Sequence, residues 1–67
     1  MKILLNNREE VFECEEMAVS ELLRLKSFTF KMLVIKINGI LVKKADYETS
    51  LIKDGDEVQV LHLISGG

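Results

Sequence analysis

Met32-Leu33-Val34-Ile35-Lys36-Ile37-Asn38-Gly39-Ile40-Leu41-Val42 is the most informative stretch of this 67-residue chain. Two runs of β-branched and apolar residues flank Asn38-Gly39. A two-residue type I′ turn needs positive φ at both central positions, which Asn and Gly adopt at little cost. The stretch therefore predicts a β-hairpin with strands over 32–37 and 40–42. Downstream, residues 43–53 are polar and read as irregular, with a short helical turn around Tyr47. Asp54-Gly55-Asp56 reads as a turn with Gly55 at positive φ. Residues 57–64 read as a last strand, and the segment after it has nothing to order it. Upstream, Val19, Leu22 and Leu23 fall at i, i+3 and i+4, which predicts one amphipathic helix over 18–26. Its start is weakly marked, because Ala18 stands where a Ser or Thr would cap. Glu15, Glu16 and Glu21 place negative charge near the positive end of its dipole. Residues 1–5 and 9–14 read as two strands joined at Asn6-Asn7, a pair that tolerates left-handed backbone. The expected order is β-β-α-β-β-β, an α+β fold whose mixed sheet carries one helix on one face and leaves the other open.

Length and composition narrow the function classes. The chain is expected to form one domain, residues 1–67, with 64–67 as a flexible C-terminal tail. Hydrophobic residues make up 48% and charged residues 30%, the balance of a globular rather than a disordered chain. The net charge is −2, with no basic stripe and only Phe12, Phe28, Phe30 and Tyr47 as aromatics, so nucleic acid is not an expected partner. Met1 to Asn6 is apolar for too few residues to be a secretory leader or a membrane span, so a cytoplasmic protein without membrane contact is expected. One cysteine and one histidine are too few for a disulfide or a structural zinc site.

The candidate chemical groups are few. Cys14 reads as a small buried hydrophobe, since nothing beside it suggests a lowered thiol pKa. His62 has no triad-like partners and reads as a strand residue. Asp54 and Asp56 are better explained by the turn at Gly55 than by calcium. Lys43-Lys44 reads as a solvated loop. No acid–base pair, metal cluster or phosphate loop points to an enzyme, which leaves the ending, Gly66-Gly67. Two specified positions are both glycine by chance in roughly 0.5% of cases. Glycine also allows a chain end to pass a narrow channel in another protein.

Met1-Lys2-Ile3-Leu4-Leu5-Asn6, Val19-Ser20-Glu21-Leu22-Leu23, Ile37-Asn38-Gly39-Ile40-Leu41-Val42, Asp54-Gly55-Asp56-Glu57-Val58 and the final Gly66-Gly67, in this order and spacing, resemble the ThiS family over the whole length. That family comprises the sulfur carriers of thiamine thiazole synthesis, within the β-grasp (ubiquitin-like) fold. The chain departs from the family pattern at Asn6-Asn7, where Asn-Gly is common, at Ala18, and in having no proline. The resemblance implies a protein cosubstrate rather than an enzyme, with no bound cofactor and a monomer when free. An adenylyltransferase of the ThiF/MoeB type, related to ubiquitin-activating enzymes, would use ATP to adenylate the Gly67 carboxylate. A cysteine-derived persulfide donor would displace AMP and leave a thiocarboxylate, whose sulfur thiazole synthase would take.

Strand alternation suggests where such partners dock. Lys36 and Gln59 are polar and mid-strand, so they are expected on the open face. Stepping by two brings Val34 and Met32 to the face of Lys36, and Leu61 and Leu63 to that of Gln59. In a β-grasp sheet the first, third and last strands are neighbours, which adds Leu4. The expected docking patch is therefore Leu4, Val34, Leu61 and Leu63, leading to a tail, Gly66-Gly67, that is delivered into partner active sites. Three competing readings share the fold: the carrier of molybdopterin synthesis, a ubiquitin-like modifier joined to lysines through Gly67, and a plain β-grasp interaction module.

Overall fold

The computed structural model describes residues 1–28 and 33–62. The expectations for Met32, for Leu63 and the end of the last strand, and for the Gly66-Gly67 tail lie outside the described residues. The elements run β1 (Lys2–Leu5), β2 (Arg8–Val11), β3 (Glu16–Ala18), α1 (Val19–Leu25), β4 (Leu33–Ile37), β5 (Ile40–Val42), a 3-10 turn (Lys44–Asp46), β6 (Leu51–Lys53) and β7 (Glu57–His62). Five strands form one sheet in the order β2-β1-β7-β4-β5. β1 and β7 are parallel, and the other neighbours are antiparallel. This is the mixed sheet with one helix anticipated above, with β1, β7 and β4 (the strand expected over 32–37) side by side.

Both hairpins turn as their sequences demand. Asn38 and Gly39 have φ of 51° and 82°, and Asn6 and Asn7 have 51° and 67°. Two residues at positive φ twist a tight turn in the sense that right-twisted strands require. The Asn6-Asn7 pair, without a glycine, thus performs as Asn38-Gly39 does. The first hairpin is shorter than its pattern, since β2 ends at Val11. One further pairing follows it: the Phe12 N–H donates to the Met1 carbonyl at 2.8 Å.

Alternation puts Ile3 and Leu5 of β1, Ile35 of β4, Val42 of β5, and Val58 and Val60 of β7 on one face. They are buried there in a single cluster with Val19 and Leu22 of α1. No polar or charged side chain among the described residues is buried. So small a core avoids the desolvation penalty of an unpaired polar group.

The weakly marked helix start has a tertiary explanation. Ala18 makes no side-chain cap. Instead the N–H groups of Val19 and Ser20 donate to the carbonyls of Ser50 and Tyr47, at 3.0 and 2.8 Å. The segment expected to be irregular therefore satisfies two orphan donors of the helix. Its other end is a Schellman motif: Ser27 takes φ 58°, and the Phe28 N–H reaches the Leu23 carbonyl at 2.8 Å.

Two strands were not expected. β3 and β6 pair antiparallel through Met17↔Ile52, and both of these side chains are buried. Three-residue strands are too short for alternation to announce. They form because each places one large apolar side chain against the same core.

Candidate functional site

The open face of the main sheet carries Val11 and Glu9 from β2, Lys2 and Leu4 from β1, Glu57, Gln59 and Leu61 from β7, Val34 and Lys36 from β4, and Leu41 from β5. This follows from the register, because directly paired residues share a face. The pairs are Lys2↔Val11 and Leu4↔Glu9, Leu4↔Glu57, Lys36↔Leu41, and Val34↔Leu61 and Lys36↔Gln59.

Of the four side chains read as docking residues, the structure brings two together. Val34 and Leu61 are direct cross-strand partners; Leu61 is 48% exposed and Val34 half-buried. Leu4, 37% exposed, lies on the same face but beside Glu57 rather than Leu61. Leu61 is four residues farther along β7, about 13 Å at strand rise, and Gln59 intervenes. The face is thus two apolar ends divided by a polar row of Glu57, Gln59 and Lys36. Each end has a member the alternation argument left out. Leu41 is 57% exposed beside Lys36, and Val11 is exposed beyond Leu4. The signal was present: applying the same stepping rule to 40–42 and 9–11 adds both. Lys2 and Glu9 form an ion pair at 3.5 Å, with both side chains largely in solvent, worth about 0–1 kcal/mol.

At the Leu61 end, β7 outruns its neighbour. β1 stops at Leu5, but Asn6 continues its work with a side chain. The Asn6 N–H donates to the Val58 carbonyl at 2.9 Å. The Asn6 Nδ2 donates to the Val60 carbonyl at 3.2 Å, and the Val60 N–H donates to Asn6 Oδ1 at 2.8 Å. One carboxamide thus replaces the next residue of a parallel strand.

A second network closes the opposite end of β7. Asn38 Nδ2 donates to Asp56 Oδ1 at 3.0 Å, and the Glu57 N–H donates to Asn38 Oδ1 at 2.9 Å. The Lys53 N–H donates to Asp56 Oδ2 at 2.9 Å, while the Lys2 N–H donates to Asp54 Oδ1 at 2.7 Å. Gly55 sits at φ 87°. The two aspartates therefore anchor a turn, joining β1, β6 and the β4–β5 hairpin to the start of β7. Asn6 and Asn38 were read only as turn formers. Their cross-links needed β7 to be placed before they could be seen.

The remaining candidates sit apart. Cys14 lies in the bend after β2, partly buried against the core. His62 is exposed at the end of β7, opposite Leu33. Lys43 and Lys44 are exposed at the start of the 3-10 turn. Among the described residues no three His, Cys, Asp or Glu side chains are grouped to hold a metal. No described helix is long and apolar enough to cross a membrane.

Comparison with known proteins gives this geometry a family. The model of the ThiS family matches residues 2–67. The chain belongs to the ThiS family. A crystal structure of the thiamine biosynthesis protein ThiS from Geobacter metallireducens superposes with a TM-score of 0.87 at 28% identity, covering all of both chains. A solution structure of a thiamine biosynthesis protein from the same organism gives 0.75 at 25% identity, covering all of this chain and 88% of the other. The fold is the β-grasp fold of these ThiS structures, and the ThiS match includes both terminal glycines.

Proposed function

We propose that this chain is the sulfur carrier of thiamine thiazole synthesis. The observation that carries the reading is the ThiS match over residues 2–67, supported by the likeness to a thiamine biosynthesis protein along its full length. In this reading residues 1–67 are one β-grasp domain, cytoplasmic, monomeric when free, and a cosubstrate rather than a catalyst. A carboxylate repels nucleophiles, so the Gly67 carboxylate must first be activated. It attacks the α-phosphorus of ATP on an adenylyltransferase of the ThiF/MoeB type, releasing pyrophosphate and forming an acyl-adenylate. The terminal sulfur of a cysteine-derived persulfide then attacks the acyl carbon and AMP leaves. A thiol cleaves the remaining S–S bond, becoming a disulfide with the donor cysteine, and the thiocarboxylate is freed for thiazole synthase.

The test is intact mass after incubation with ATP, the cognate adenylyltransferase and a persulfide source. The expected result is a gain equal to replacing one oxygen by sulfur. An unchanged mass in every arm, with the adenylyltransferase shown active on another carrier, would overturn the reading.

Ordering a chain end inside a partner loses entropy, so affinity must come from a surface elsewhere. We place that surface on the Leu61, Val34 and Leu41 end of the open face, where the last described residues of β7 lie. Leu61→Glu is expected to lower kcat/KM for adenylation about a hundredfold, the size of a buried hot-spot contact. The thermal midpoint should move by only a few degrees, because Leu61 is half exposed. Unaltered kinetics would remove this surface from the docking site.

A further inference from the structure

We infer that Asn6 is a positioning residue for the chemistry at the chain end, a role that rests on the function proposed above. Val58 and Val60 are the residues of β7 whose backbone faces β1. β1 ends at Leu5, so from Val60 onward the strand has lost that neighbour. The Asn6 carboxamide replaces it, accepting from the Val60 N–H at 2.8 Å and donating to the Val60 carbonyl at 3.2 Å. On its other side β7 is held by β4 through Val34↔Leu61 and Leu33↔His62. The clamp therefore makes Val60 the last residue of β7 that β1 and its turn grip, immediately before Leu61.

This placement has a consequence for delivery. Seven residues, Leu61 to Gly67, follow Val60. The direction in which they start is set where the strand is last held on both sides. A docked carrier with that point fixed presents its carboxylate from one origin. With the clamp gone, this end of β7 is no longer gripped from the β1 side and the carboxylate samples a wider volume around the nucleotide. Effective concentration at the reacting phosphorus then falls, although the rest of the open face still docks.

The turn itself does not need the amide. Asn6 has φ 51°, a value glycine adopts freely, so Asn6→Gly keeps the hairpin and removes only the clamp. Asn6→Asp keeps an acceptor for the Val60 N–H and turns a carboxylate oxygen toward the Val60 carbonyl, where the donor was. The control is Asp56→Ala, which loosens the network at the other end of β7.

The experiment is single-turnover adenylation at saturating adenylyltransferase, well below the unfolding midpoint of each variant, together with backbone amide exchange. Asn6→Gly and Asn6→Asp are expected to slow the saturated rate about tenfold or more, since small misplacements of reacting groups are costly. In Asn6→Gly the Val60 amide should exchange faster. Asp56→Ala is expected to react at the wild-type saturated rate even where it lowers the midpoint as much. A purely structural role would leave the saturated rate of all three unchanged, because each is folded under the assay, and that result would overturn the inference. Failure of the wild-type chain to be adenylated is a different outcome, and it overturns the proposed function and this inference together.

Discussion

Deleting Gly67 is expected to abolish thiocarboxylate formation while leaving the fold as it is. The last described residue of β7 is His62, and five residues follow it. Fully extended, they span at most about 18 Å. In the proposed reaction that length is the whole reach of the carrier, from the sheet to the α-phosphorus of ATP on another protein. Removing one residue withdraws the carboxylate by roughly 3.5 Å. A displacement of only about 1 Å between reacting groups already costs on the order of a hundredfold in rate, so the shortened chain should show no sulfur gain by intact mass. Restoring the length with alanine separates reach from backbone freedom. Gly67→Ala returns the carboxylate to its place but adds a Cβ beside the reacting carbon. It is expected to load at least about tenfold more slowly than wild type, since every conformation open only to glycine is lost. Both variants should match wild type in circular dichroism and thermal midpoint, because the described core contains nothing beyond Val60. Normal loading of the deletion variant would show that Gly67 is not the acceptor.

Local chemistry made part of this molecule legible and left part of it dark. Asn38-Gly39 and Gly55 were readable because each states a backbone requirement within two or three residues. The alternation of Val34, Ile35 and Lys36 was readable because a half-buried sheet permits only one register. β3 and β6 were not readable, since Met17 and Ile52 are far apart in sequence and each strand is a single buried residue with its flanks. Ala18 looked like a poor helix start for the same reason: its missing cap is supplied by the carbonyls of Tyr47 and Ser50. The open face followed from two polar residues, Lys36 and Gln59. Its division into two apolar ends did not, because that depends on Leu4 pairing with Glu57 rather than with a residue nearer Leu61. Asn6 shows the limit most clearly. As a turn former it is interchangeable with glycine, and its second use appears only when β7 lies parallel to β1.

Ile35→Ala is expected to bring the chain to the edge of unfolding. A 67-residue domain has roughly 3–10 kcal/mol of stability in total. Ile35 lies in the middle of β4, which pairs with both β5 and β7, and its own partners are Val42 and Val60. It is completely buried, so truncation loses the transfer energy of its side chain and leaves a cavity beneath α1, together about 2–5 kcal/mol. A core this small has few neighbours able to relax into the gap. The urea midpoint should fall by a third or more at unchanged slope, since the slope follows the surface exposed on unfolding. Ile40 is the control: the same residue type five positions on, paired with Ile37 on the same face of the sheet, yet 72% exposed. Ile40→Ala should change stability by no more than about 0.5 kcal/mol. Equal effects at the two positions would mean that the β4–β5 hairpin is not seated as described, and the face assignments of Val34, Lys36 and Leu61, all tied to Ile35 by register, would fall with it.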